Sequence, residues 1–455
     1  MKRQLTLSYL SKRLNQKQYE AVCKLADSRG GMLWWRVGLG KTRIAIYWFL
    51  HLIQDNPTRW KAPYICLVVC RRKSFQDWHE EIYKCEPTAH VYYEHAPISP
   101  PTSEPCFLLV SDGMIAKLQV EHNILAVILD EGWLYANHKS KRSKAAQLLT
   151  ESRPSILLSG TLMKAKDTLE IYNQAMAVNK HRICSPSPTK FRTEFQICQT
   201  GMGFPQWFPK KGAKEKILSR FYEVCDIHFP ESEREIRDQF HTIEATPEQL
   251  RLFNQLKEYY EASTDSFEIE LNNALAVIVK AQQIADGWIK DKEGNIHSIP
   301  SNKPEKLRDE LESILNAGEK CVVWCAFRHD VKMLSTFLPF ATVQMLGGEE
   351  FDRDRWNSSD VNVCLATEAS GSAVNHFQHC KFAIYYSANF KWKDMQQSRG
   401  RTDRTSSRHS ICHYKYLQVD ASFDSHVYKT ALDSGSVESE TIAIYNDVIK
   451  WIKNK

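Results

Sequence analysis

Residues 34–42, Trp34-Trp35-Arg36-Val37-Gly38-Leu39-Gly40-Lys41-Thr42, close an apolar run and open a helical one. Two glycines let backbone N–H groups approach an anion, a lysine reaches the outer phosphates of a nucleotide, and a threonine hydroxyl holds Mg2+. The usual phosphate-loop spacing asks for another glycine five residues before Gly40, where this chain has Trp35. A nucleotide site and an ordinary strand-to-helix turn therefore both fit the stretch taken alone. A second constellation is Asp130-Glu131, directly after the apolar run 124–129. An acidic pair ending a buried strand costs desolvation unless a cation or hydrogen bonds compensate. With a nucleotide, Asp130 holds Mg2+ through water and Glu131 orients or deprotonates the attacking water; without one, the pair is a helix cap. The third is Gln397, Gly400, Arg401 and Arg404, spaced Q-x-x-G-R-x-x-R. On a helix Gln397, Arg401 and Arg404 share a face. Two arginines there suit charge developing on a transferred γ-phosphoryl group, and a solvated charged stripe is the plainer account.

The elements that must carry these residues recur in two series. The first 170 residues hold five short apolar runs, MLWWRV, YICLVVC, CFLLV, ILAVIL and SILLS. None alternates strictly, as expected of strands buried on both faces of a parallel sheet. Each is followed by a polar signature, and helical periodicity usually comes next. Strand, loop and helix repeated in this way predict a doubly wound α/β layout, with ligands at the carboxyl ends of the strands. From about residue 300 the pattern returns in KCVVWCAF, ATVQML, VNVCLAT, FAIYYSA and SICHYKYLQV. The expected organisation is an ATP-binding α/β lobe over 1–170, a mainly helical, partly basic insertion or linker over 171–300, and a second α/β lobe over 301–455.

A chain of 455 residues with 25% charged residues fits a soluble protein of two or three domains. No apolar stretch nears the roughly 20 residues needed to span a bilayer, and the opening MKRQLTLSYL lacks the core of a secretion signal. A cytoplasmic location, the host's if the chain is phage-encoded, is the expectation. The 13 cysteines are scattered, with no CxxC pair. Cys66 with Cys70, and Cys321 with Cys325, are spaced to line one face of a strand, which reads as buried reduced thiols rather than metal ligands. Net charge is +6, and it is concentrated in local basic clusters such as Arg71-Arg72-Lys73.

In order and over nearly the whole chain, these motifs resemble superfamily 2 helicases, most closely the Swi/Snf-like branch. Leu14 and Gln18 look like the adenine-reading motif before the loop, and GLGKT is the form in which the early position is not glycine. LVVCRRKSFQDWHEEIYK, with Trp78, resembles that branch's second signature. LSGTLMKAKDTLEIY resembles the third motif and LATEASGSAVN the fifth. The chain departs from the pattern at Gly132-Trp133, Leu162, Ser372 and Ala373.

The resemblance implies two RecA-like lobes that bind ATP with Mg2+. The nucleotide would meet Gln18, Gly38, Leu39, Gly40, Lys41, Thr42, Gln397 and Gly400; Thr42 and Asp130 would hold the metal. Lys41, Asp130, Glu131, Arg401 and Arg404 would carry hydrolysis, and Ser159, Gly160 and Thr161 would couple it to DNA. DNA, favoured over RNA, would track past Arg71, Arg72, Lys73, Ser74, Phe327, Arg328, Thr367 and Asn375. The implied activity is that of an ATP-dependent DNA helicase or translocase. Compactness suggests the small phage and bacterial members that remodel branched DNA by branch migration or fork regression, with replication or recombination proteins as partners. A duplex-translocating motor subunit of a nuclease or protein-displacing system stays open, as does a nucleic-acid-binding scaffold with a vestigial ATPase.

Overall fold

The computed structural model describes residues 13–55, 64–94, 104–118, 124–160, 168–201, 204–230, 234–259, 261–264, 267–270, 274–346, 351–368, 377–389, 392–404, 407 and 409–433. The chain divides into two compact units, Met1–Pro230 and Glu231–Lys455. Both are α/β lobes on parallel sheets, the fold class expected.

The sheet of the first unit contains β1 (Gly30–Trp35), β2 (Tyr64–Cys70), β3 (His90–Tyr93), β4 (Pro105–Ser111), β5 (Ile124–Leu129), β6 (Ser155–Ser159) and β7 (Cys225–His228). Their spatial order is β3-β4-β2-β5-β6-β1-β7, with every pair parallel. Period-two alternation sorts the side chains into two cores. Leu33, Cys66, Val68, Cys70, Phe107, Ala126, Ile128 and Leu158 face one side. Met32, Trp34, Leu67, Val69, Leu108, Val127, Leu129 and Leu157 face the other. Covering both faces is what lets these strands be apolar throughout. Cys66 and Cys70 lie in one core, and Cys321 and Cys325 in one core of the other unit, as their spacing predicted.

Helices α1 (Gln16–Asp27), α2 (Lys41–Asp55) and α3 (Phe75–Cys85) contribute to the first core, and α4 (Lys141–Thr150) and α5 (Thr168–Ala177) to the second. Helix α3 shows how the sequence sets the packing. Trp78, Ile82 and Cys85 recur at i, i+4 and i+7 and are its buried residues, while the charged remainder faces water.

The sheet of the second unit contains β8 (Glu235–Ile243), β9 (Cys321–Cys325), β10 (Thr342–Met345), β11 (Val363–Thr367), β12 (Phe382–Tyr385) and β13 (Ile411–Val419), in the order β8-β13-β12-β9-β11-β10. Again all pairs are parallel. All ten apolar runs read from the sequence are strands.

The division between units falls inside 171–300. That stretch carries strands as well as helices, including the antiparallel hairpins Gln196–Gly201 with Phe204–Pro209 and Trp288–Lys290 with Ile296–Ser298. It also supplies an edge strand to each sheet, β7 beside β1 and β8 beside β13. An edge strand needs one buried neighbour and little apolar surface. β8 reads EIRDQFHTI and is mostly exposed, so no hydrophobic run announces it.

Candidate functional site

Four loops that carry predicted chemistry leave the carboxyl ends of four adjacent strands, β2, β5, β6 and β1. They begin at Arg71, Asp130, Gly160 and Arg36. Neighbouring strands lie about 4.8 Å apart, so the ends of β1 and β5, with β6 between, are about 10 Å apart. A doubly wound sheet gathers ligand-binding loops in this way.

The loop after β1 depends on its glycines. Gly38 and Gly40 have φ of +88° and +82°, which disfavours any residue with a Cβ. At Gly40 a Cβ would also stand 2.6 Å from Gln18 Nε2. Gln18 is fixed from both sides. Its Oε1 accepts from Asn15 N–H at 3.1 Å in the capping box of α1, and its Nε2 donates to Leu39 O at 3.0 Å. The residue expected to read adenine is thus seated on the phosphate-type loop.

Trp35 stands at the missing glycine without obstructing anything. It ends β1, is buried, and donates from Nε1 to Asp226 Oδ1 at 2.6 Å while its ring meets His228 edge-on. Only its backbone faces the loop. There its carbonyl and that of Arg36 accept from Lys41 Nζ at 3.0 and 3.2 Å. Thr42 follows in the first turn of α2.

Gly160 closes on the same lysine. A Cβ there would stand 2.8 Å from Val37 Cγ2 and 3.4 Å from Lys41 Nζ, so the glycine after β6 leaves room for Lys41. Ser159 ends β6 and is buried. Thr161 lies outside the described residues.

Asp130 continues the β5–β2 ladder through its N–H to Val69 O at 2.9 Å. Its Oδ1 accepts from Glu131 N–H at 2.8 Å and its Oδ2 from Trp78 Nε1 at 3.1 Å. Burial, then the charge of Glu131, push its carboxyl up to about 6; the two hydrogen bonds and the Lys41 ammonium hold part of that rise back. A buried anionic oxygen beside a second carboxylate, with the Thr42 hydroxyl at the end of the next strand but one, has the hard-donor chemistry that suits Mg2+.

Glu131 is left-handed, with φ +56° and ψ +67°, a conformation that costs a non-glycine residue about 1 kcal/mol or more. The turn brings Trp133 back onto it, and Trp133 Nε1 donates to Glu131 Oε2 at 2.7 Å. Gly132 is sterically obliged: a Cβ would stand 2.4 Å from Leu157 Cδ2 and 2.9 Å from Gln174 Oε1. The two departures after the acidic pair are therefore a close-packed glycine and a tryptophan bonded to the acid.

After β2, Arg71 places its guanidinium 5.0 Å from the centre of the Trp133 ring. Its Nε lies 4.0 Å from Asp112 Oδ1, while Arg142 holds Asp112 Oδ2 at 2.8 Å. Arg72 and Lys73 are exposed and Ser74 partly so. Arg72 lies 3.6 Å from Glu94.

In the second unit Gln397, Gly400 and Arg401 lie on the helix Trp392–Thr402 and are buried. Arg404 does not share their face, because the helix ends at Thr402. Ser407 Oγ donates to Thr402 O at 2.7 Å, and Arg404 N–H donates to Ser407 Oγ at 3.3 Å. Arg404 instead turns its Nε back to Gly400 O at 3.2 Å. Arg399, between the predicted residues, has a different partner. It forks onto Asp238 of β8 at 2.6 and 3.1 Å and lies 4.2 Å over the Tyr414 ring. Phe327 and Arg328 sit at the start of the helix Arg328–Phe337, after β9. Phe327 N–H donates to the buried Asp330 at 3.3 Å, and Trp288 packs on Phe327 and His329. Thr367 ends β11 and is buried. Asn375 lies outside the described residues.

The resemblance pointed to Trp78, but the contacts at Trp133, Gly132 and Asp112 were missed. The only sequence signal for the first two was their departure from the motif. Asp112 is the middle residue of SDG, which carries no motif.

No family model matches the chain, and no curated protein sequence matches it. Comparison with solved structures finds 734 matching chains. One is the SWI2/SNF2 ATPase core of Sulfolobus solfataricus in complex with dsDNA. It is 16% identical, covers 96% of this chain and 96% of its own, and superposes with a TM-score of 0.41. No helix among the described residues is long and apolar enough to cross a membrane.

Proposed function

We propose that the first unit binds and hydrolyses ATP and that the chain uses the turnover to move along DNA. The supporting observation is the convergence of Lys41, Gly160, Asp130 and Glu131 at the ends of β1, β6 and β5. Lys41 is near enough to Asp130 to moderate its pKa, and Gly160 is shaped around Lys41. A plain strand-to-helix turn needs neither.

In this reading Gly38 and Gly40 present backbone N–H groups to the phosphates, and Lys41 leaves the Trp35 and Arg36 carbonyls for the outer phosphate oxygens. Gln18 fixes the loop from behind. Thr42 and Asp130 would hold Mg2+, which when bound neutralises charge on the phosphate oxygens. Glu131 orients the attacking water and accepts its proton. Arg401 and Arg404 are the candidates for neutralising charge on the departing phosphoryl group. Gln397 and Gly400 belong to the same helix and complete that set. Arg71, Arg72, Lys73 and Ser74, with Phe327, Arg328 and Thr367, are the candidate DNA contacts. Contacts of this kind bind backbone phosphate without reading sequence. The finer role, remodelling of branched DNA, rests on the motif resemblance described above.

The test is steady-state ATP turnover at fixed salt, without nucleic acid and with single-stranded DNA, duplex, a four-way junction or RNA. DNA is expected to stimulate more than RNA, and Lys41→Ala to abolish turnover. Undiminished turnover in Lys41→Ala overturns the loop assignment. Strongest stimulation by the junction supports the branched-DNA role, and equal stimulation by plain duplex favours a general translocase.

A further inference from the structure

One oxygen of the acid read as the general base is already engaged. Glu131 Oε2 carries a 2.7 Å hydrogen bond from the Trp133 indole. A carboxylate so bonded is directed toward the indole rather than toward a water. A face of the same indole, whose edge N–H makes that bond, lies under a cation, Arg71, at 5.0 Å. Arg71 is the first residue after β2 and neighbours the exposed Arg72 and Lys73. Its side chain is 36% exposed, and its carboxylate partner among the described residues, Asp112, is 4.0 Å away and bound more closely by Arg142. A partly solvated guanidinium with a loose ion pair is easily drawn to a stronger anion. A phosphodiester offers bidentate, charge-assisted bonds that Asp112 does not give it. The chain of contacts thus runs from a basic surface loop to the catalytic acid through one side chain.

We propose that Trp133 is a positioning residue that restrains Glu131, and that a nucleic-acid phosphate releases it by drawing Arg71 off the indole. Without nucleic acid, the guanidinium keeps the ring in place and the ring keeps the carboxylate. With a backbone phosphate on Arg71, the ring loses its cation, the indole N–H leaves Glu131, and the carboxylate becomes available to water. Stimulation of turnover by nucleic acid is then relief of a restraint. Trp133, which departs from the family motif, is the residue that provides it. This rests on the ATPase reading of the site.

The test compares full-length wild type with Trp133→Phe and Arg71→Ala, measuring ATP turnover and KM with and without a duplex. Phenylalanine removes the N–H and leaves a smaller aromatic ring for Arg71 to cover. Losing a hydrogen bond to a charged group is worth roughly tenfold or more. Trp133→Phe is expected to raise the rate without DNA about tenfold, leave KM for ATP unchanged, and bring the stimulation factor close to one. Arg71→Ala is expected to weaken DNA binding and also to raise the DNA-free rate, which a plain phosphate contact would not do. The DNA-free rate of the double variant should match that of Trp133→Phe, because both changes release the same contact. A Trp133→Phe enzyme slowed equally with and without DNA would make the indole a structural support and overturn the proposal. So would an unchanged stimulation factor. If Trp133→Phe does not fold, the DNA-free rate of Arg71→Ala decides alone. Wild type without Lys41-dependent turnover would defeat the ATPase reading itself. Lys41-dependent, DNA-stimulated turnover with an unaltered factor in both variants defeats only the restraint.

Discussion

Asp130→Asn separates what the acidic pair does for stability from what it does for chemistry. In the folded chain the Asp130 carboxyl is raised from 3.8 to about 6, whereas in an unfolded chain it titrates near 4. The folded state therefore holds this proton more tightly, and stability is lost as pH rises from about 4 through about 6. Above that window the ionised carboxylate costs the fold about 3 kcal/mol; below it the cost is absent. Asparagine cannot ionise and removes the pH-dependent part. It also brings a fixed penalty. Asp130 accepts from both Glu131 N–H and Trp78 Nε1–H, and an amide has one oxygen for two donors. Leaving one donor unmatched costs about 1 to 3 kcal/mol at every pH. The two effects nearly cancel at pH 8, so a single measurement there is uninformative. The variant should be less stable than wild type at pH 4 and gain on it by about 3 kcal/mol by pH 8. The assay is urea unfolding of both full-length proteins across pH 4–8, read on the transition that the substitution moves. A difference independent of pH would refute the raised carboxyl. A difference that grows more unfavourable toward pH 8 would mean that the carboxylate is stabilised in the fold. ATP turnover should be lost in the variant throughout.

Two further substitutions test the surroundings. Gly160→Ala would put a methyl 2.8 Å from Val37 Cγ2 and 3.4 Å from Lys41 Nζ. It should cost about 1 kcal/mol of stability and raise KM for ATP severalfold, and an unchanged KM would show that Lys41 does not need that space. Lys303→Met tests the buried centre of the second unit, where Lys303 bridges Asp286 and Asp424 at 2.8 and 2.9 Å with its side chain fully buried. Stranding those carboxylates should cost about 3 to 5 kcal/mol at pH 8. The loss should shrink toward pH 5, because burial already pushes the Asp286 carboxyl up and it can take a proton. Thermal unfolding at the two pH values checks both size and sign.

The sheets were legible because their strands are buried on both faces. YICLVVC and ILAVIL cannot be placed at a surface, and a turn signal bounds each. The positions of Lys41, Asp130 and Gly160 followed, since the carboxyl ends of parallel strands are where such a sheet exposes its loops. The edge strands β7 and β8 were not legible, because pairing along one side asks little of side-chain type. The helical face of Arg404 was misjudged for a local reason. Spacing predicts a shared face only while the helix lasts, and Ser407 ends it by bonding to the Thr402 carbonyl. Trp35 is the reverse case. A missing glycine looked like a defect in the loop, but the loop uses only the backbone of that residue, and its side chain belongs to the core.

Three consecutive residues of the first unit carry unfavourable terms. Asp130 is held at a raised pKa, and Glu131 adopts a left-handed backbone. Gly132 is packed so tightly that a methyl would stand 2.4 Å from Leu157. A glycine at 131 would relieve the left-handed turn, so folding alone gives no reason to keep a glutamate there. Strain and desolvation at consecutive residues ending a central strand are what a site kept for chemistry would carry. The same reasoning bears on Trp133. The Glu131 turn that costs the backbone energy also delivers the indole to the carboxylate. If the turn served only to present the acid, Glu131 would be expected to face the loop unpaired. Its pairing with Trp133, and that residue's with Arg71, argues that the turn was shaped to hold the acid as well as to present it.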